Sequence, residues 1–228
     1  MHAEVEELTL PRGLIFLAFM WLVGAWAVSM GVTTPVIPSA AAYEPGVRMM
    51  LVVAMLGLMI AWPLYRLSGP RTGYPLQLVV LDFLVLMALT QIVLWPVRVL
   101  TTWTVSRVAL LDATIAAWSL VAGGAILLGL VSSRHGVRTI SMLLCVLACL
   151  GGPLLAWLVT PEQSRGSTLA SLSPLTLVWT LASERGNVPT SEQWRATLIP
   201  LLAAGPVWLA AVGVLIAKRR NTGTTGDI

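Results

Sequence analysis

Residues 108–131 read VALLDATIAAWSLVAGGAILLGLV, twenty-four residues with a single charge, Asp112. As an α-helix the segment is about 36 Å long, enough to cross a hydrocarbon layer of about 30 Å. The run is continuously apolar and lacks the period-two alternation of a membrane β-strand, so helix is the reading. Gly123, Gly124 and Gly129 on it allow another helix to approach closely.

Moving outward with a window of about 19 residues finds five more such segments, at 13–34, 48–66, 75–95, 138–159 and 196–217. The expected fold is therefore all-α: a polytopic membrane helical bundle of about six transmembrane helices, with 1–228 forming a single membrane domain. Composition agrees. Of 228 residues 57% are hydrophobic and 11% charged, and mean hydropathy is +0.86. A soluble domain carries about 25% charged residues. Here the charges gather between apolar segments, as wet connections between helices in hydrocarbon do.

The net charge of +4 does not point to nucleic acid. The Arg residues stand one or two at a time beside apolar segments, with no basic stripe and no interleaved aromatics. Cys145 and Cys149 share a helix face at a spacing that does not favour a disulfide, and read as small packing residues. The N-terminal segment follows Glu4, Glu6 and Glu7 and is too long for a signal-peptide core, so a retained anchor is expected.

Breaks between spans have named causes. Pro35 and Pro38 are expected to end the first span and open a stiff loop to Glu44 and Arg48, and Pro96 to close the third. Gly151-Gly152-Pro153 and Gly205-Pro206 are expected to kink the fifth and sixth. Trp62, Trp95 and Trp157 read as interfacial, whereas Trp21, Trp26, Trp118 and Trp208 read as helix-packing residues. With the N-terminus inside, Arg12, Arg66, Arg71, Arg134, Arg138, Lys218, Arg219 and Arg220 lie on the inner side. Arg48, Arg98, Arg107, Arg165, Arg185 and Arg195 lie on the outer side. The positive-inside rule then favours both termini in the cytoplasm of a plasma (inner) membrane.

The connection between the fifth and sixth spans is long and holds Leu169, Leu172, Leu175, Leu177, Val178, Trp179 and Leu181. It is too short and interrupted to span. Pro174, preceded by Ser173 as cap, suits the first turn of a helix of about ten residues. A short outer helical hairpin is expected there, lying in the interface or re-entering partway.

Asp82 is the sharpest candidate for chemistry. It stands some seven residues into the third span between Leu81 and Phe83, where an ionised carboxylate costs roughly 2.5–3.5 kcal/mol unless paired or hydrated. One reading is a substrate, ion or proton contact, with Gln91 on the same span as a further polar contact. The other is a helix–helix hydrogen bond, for instance with Gln77 or Thr90. Asp112, near the outer end of the fourth span, reads as a structural ion pair with Arg107, Arg98 also being in reach. No cofactor or metal site is expected. His2 and His135 are not placed for a bis-His haem, no ligand cluster has metal spacing, and no Ser-His-Asp set or phosphate-binding loop exists. The chain is therefore not expected to be an enzyme.

The stretch Leu127-Leu128-Gly129-Leu130-Val131-Ser132-Ser133-Arg134, then a further span, Ser171-Leu172-Ser173-Pro174-Leu175 and a last span closing on Lys218-Arg219-Arg220, resembles the membrane permeases of ABC-2-type transporters over roughly residues 120–220. The resemblance implies a permease subunit, oligomeric and powered by a separate ATPase chain. That family usually carries a cytoplasmic coupling helix between spans two and three, whereas residues 65–73 here hold one Pro and two Gly, a poor helix former. The alternative is a non-catalytic accessory subunit of a larger integral membrane complex. An enzyme acting on lipid would need clustered carboxylates, His or Cys. The partners expected in either leading case are the lipid bilayer and other membrane subunits.

Overall fold

The computed structural model describes residues 11–32, 39–70, 73–132, 134–158, 173–183 and 188–223. Eight α-helices and one π-helical turn make up these segments: α1 (Arg12–Val32), α2 (Ala40–Leu56), the π turn (Gly57–Ala61), α3 (Trp62–Ser68), α4 (Pro75–Leu100), α5 (Val105–Val131), α6 (His135–Leu158), α7 (Pro174–Ser183) and α8 (Ser191–Gly223). α2, the π turn and α3 run on as one span, Ala40–Ser68, and six helices in all are long and apolar enough to cross a membrane. The described residues form an all-α bundle of the multi-pass membrane type. Its near end is taken as the one where α1 begins and α8 finishes.

α5 is the hub. Of its apolar window 72% is buried, against 17% for α1 and for α8. It packs most extensively on α8, then on α4 and α6, and also touches α3 and α7. Its small residues explain the position: a Cβ on Gly124 would stand 2.9 Å from Val207 and 3.0 Å from Trp208, and one on Gly129 would stand 2.6 Å from Leu67. Where lipid is as apolar as leucine, such close backbone approach is a main source of helix association.

Two expected boundaries shift for a local reason. The second span starts at Ala40, because Ser39 caps it by accepting the Ala42 amide at 3.3 Å. Glu44 and Arg48 consequently lie within α2, as an i,i+4 ion pair at 3.3 Å, and not in a loop. α4 runs through Pro96 to Leu100. This near its end, the missing amide and the carbonyl freed one turn back cost one bond at the helix rim rather than in the middle.

The π turn also has a local cause. Pro63, second residue of α3, has no N–H for the Met59 carbonyl, and its ring would press on that oxygen in a regular helix. Widening the turn over Gly57–Ala61 accommodates it, while the Val53 carbonyl one turn earlier receives the Trp21 indole N–H at 2.9 Å. One inserted residue turns everything after it by about 100° about the helix axis. That rotation aims Trp62 and Arg66 at α4.

Of the expected outer hairpin, the described part is α7. Leu169 and Leu172 lie outside the described residues. α7 packs on α2, α5 and α6, burying Leu175, Leu177, Val178 and Leu181 while Trp179 stays 45% exposed. Ser173 opens the helix, its carbonyl accepting the Leu177 amide at 3.0 Å, and its hydroxyl donates to the Cys149 carbonyl at 2.8 Å. Cys149 lies nine residues before the end of α6, about 13 Å inside the bundle. The helix therefore re-enters, with its start deep and its end near the far rim. Gly152 makes room for it, since a Cβ there would collide with Ser173.

Candidate functional site

Asp82, the eighth residue of α4, is fully buried. Its partner is Arg66 in the last turn of α3, whose Nε and Nη2 donate to Oδ2 and Oδ1 as a fork. Trp62, one turn before Arg66 on the same face, adds its indole N–H to Oδ2 at 3.2 Å. Three donors converge on an acceptor-only carboxylate, and the planar guanidinium matches it with two parallel bonds. The Arg66 side chain keeps 15% exposure, and its guanidinium carbon is 5.4 Å from the Tyr65 ring centroid. A charge that would be costly alone in hydrocarbon is thus neutralised inside the protein.

The hydrogen-bond partners expected for Asp82 are not used. The Thr90 hydroxyl donates to the Leu86 carbonyl of its own helix at 2.8 Å, and Gln77 is exposed. Trp62 is 2% exposed and works inside the bundle as a donor, not as an interfacial anchor. Trp26, at 51% exposure, forms part of the wall of an open apolar groove between α1 and α4, with Phe19, Ile92, Val97 and Leu100. It is not a buried packing residue.

Gln91 does not join Asp82. Its amide donates to Asp112 of α5, and its carbonyl accepts the Trp95 indole N–H. The expected Asp112–Arg107 ion pair does not form. Five residues apart, the two lie about 140° apart around α5. Arg107 instead turns to α7: 2% exposed, it donates through Nη1 to the Leu181 carbonyl at 3.0 Å. A cation on a helix's last carbonyls offsets the negative end of its dipole. At the same far rim Thr102 donates to Glu44, so the Glu44–Arg48 pair ties α2 to the α4–α5 turn.

A second polar seam joins α5 to α8. Thr114 and Thr197 share a buried hydrogen bond of 2.8 Å, and the Trp208 indole donates to the Leu120 carbonyl at 2.8 Å. α8 begins with a reciprocal cap, Thr190 N–H to Gln193 Oε1 at 3.0 Å and Gln193 N–H to Thr190 Oγ1 at 3.4 Å. At the near end Arg138 of α6 donates to the Gly69 carbonyl at 3.3 Å, linking the turn after α3 to the start of α6.

Arg66 and Trp62 are the partners of Asp82 that sequence reasoning missed. The signal was available: the turn between α3 and α4 folds the chain back about Tyr74, and Arg66 and Asp82 stand eight residues to either side of it. Gln91 and Asp112 flank the turn at Thr101-Thr102 in the same way. Together, fold and buried charge define a helical multi-pass membrane protein in which the fully buried carboxylate of Asp82 is neutralised inside the bundle. No protein-family model, curated protein or solved structure matches the chain.

Proposed function

We propose that the chain is the membrane-spanning permease subunit of an ABC-type transporter, driven by a separate ATPase chain, with both termini in the cytoplasm of a plasma (inner) membrane. The observation that carries this reading is α7. A short helix between the fifth and sixth spans re-enters the bundle from the far end and is held there by Ser173 and Arg107. Such a plug supports a role in controlling access from the outer side, as a transport subunit needs. The near end supports ATPase docking on the cytoplasmic face, because Arg138 in the first turn of α6 ties that helix to the turn after α3. Orientation draws support from how charges are used. Among the described residues, Arg12, Arg134 and Lys218 are exposed at the near end and Arg98 and Arg195 at the far end, while Arg66 and Arg48 are paired with carboxylates and Arg107 is buried against α7. Exposed basic residues favour the anionic cytoplasmic leaflet.

The test is purification of the full chain from its native membrane in mild detergent, with mass-spectrometric identification of what accompanies it. A stoichiometric chain carrying a nucleotide-binding phosphate loop is the expected companion. A clean, monodisperse complex containing no ATPase would overturn the reading and leave an accessory subunit of a larger membrane assembly in its place.

A further inference from the structure

The outward face of α4 beside α5 leaves hydrogen-bonding capacity open to the membrane. Leu84, Ala88, Gln91, Trp95 and Arg98 recur at four-three spacing and share one stripe of the helix. Leu84 is 58% and Trp95 39% exposed, and Gln91 is half-buried. α1 lies against a different side of α4, the one carrying Leu89, Val93 and Pro96, and so leaves this stripe uncovered. The outward face of α6, by contrast, shows Leu143, Leu147 and Leu154 at mid-depth.

A count of donors and acceptors sharpens the contrast. The Gln91 amide has two N–H groups; one is spent on Asp112, and the second has no acceptor among the described residues. One Asp112 oxygen accepts that bond. The other receives no donor from the described residues, and it is not sealed within the bundle. Gln91 stands nine residues from the far end of α4 and Asp112 seven from the start of α5, so both lie roughly 10–14 Å from the far rim. Lipid tails offer neither donors nor acceptors at that depth.

We propose that two copies of the chain pair through this face about a two-fold axis normal to the membrane, the free Gln91 N–H of each donating to the open Asp112 oxygen of the other. A two-fold contact requires a patch complementary to itself, and one donor with one acceptor at matched depth meets that requirement. Ala88, one turn from Gln91, keeps the stripe low enough for close helix approach. A partner without a donor and an acceptor at this depth would leave one of the two groups unbonded. The inference does not rest on the transporter reading, since it holds for any role of the chain in the membrane.

The experiment uses the full chain with Cys145→Ala and Cys149→Ala. Oxidative cross-linking in the native membrane is compared for Ala88→Cys on the stripe and Leu147→Cys on α6. The dimer fraction in liposomes is then counted by single-molecule photobleaching as protein is diluted. A self-linked dimer at Ala88→Cys but not at Leu147→Cys is expected. Gln91→Leu should weaken dimerisation by about tenfold, the scale of two interhelical hydrogen bonds in a membrane. Ala88→Trp, which leaves the Gln91–Asp112 bond in place, should disperse the dimer without lowering the melting temperature. A monomer at every density, a dimer indifferent to both substitutions, or an Ala88→Cys adduct only with a different chain would each overturn the proposal. Co-purification of an ATPase bears on none of these outcomes, so the two ideas fail separately.

Discussion

At the scale of the residue, the decisive object is the Asp82–Arg66–Trp62 cluster. Removing one partner of a buried ion pair leaves the other charge uncompensated, which typically costs about 3–5 kcal/mol, whereas replacing both with apolar groups of similar volume is often neutral. Asp82→Asn is accordingly expected to destabilise the bundle by about 3–5 kcal/mol in detergent-titrated unfolding, by stranding Arg66. Asp82→Leu combined with Arg66→Met should recover most of that loss. A double variant as unstable as the single one would show that the pair is not the main role of Asp82. The candidate carboxylate was legible in the sequence because a charge in an apolar run stands out. Its partner is less so, although hairpin register points to it: Arg66 stands where a span-end cation would, and only the folded chain shows its guanidinium reaching Asp82. The Asp112–Arg107 expectation failed for a geometric reason. Closeness in sequence on one helix is not closeness on one face.

At the scale of the element, the π turn and α7 carry the argument. Gly152 illustrates how α7 is seated: its added Cβ would collide with Ser173, while a Cβ on the neighbouring Gly151 would meet nothing within 4 Å. Gly152→Ala should lower stability by about 1–3 kcal/mol through overpacking. Gly151→Ala should leave it unchanged or raise it slightly, through better helix propensity. Thermal unfolding of the two variants side by side checks this, and equal behaviour would mean that α7 does not press on α6. The existence of α7 was legible from Pro174 and the leucines that follow. Its depth was not, because a ten-residue apolar helix has the same composition whether it lies on the interface or descends into the protein.

At the scale of the whole molecule, α5 holds the bundle together, and its seam with α8 is the largest contact. The Thr114–Thr197 hydrogen bond crosses that seam where both residues are buried. A double-mutant cycle with Thr114→Val and Thr197→Val is expected to give a coupling energy of about 0.6–1.7 kcal/mol, the range for interhelical hydrogen bonds in membranes. Additive losses would show that the two hydroxyls are satisfied within their own helices, by the Leu110 and Gln193 carbonyls. By itself the sequence determined that this chain forms six apolar helices and where, to within a few residues, most of them begin and end. Hydropathy sums locally along a window, and a backbone in lipid must bond to itself, so helix follows from composition alone. Only the tertiary structure decided which polar groups meet. That depends on how each helix is rotated about its axis, and one inserted residue at Gly57–Ala61 turns Trp62 and Arg66 by about 100° without altering hydropathy at all.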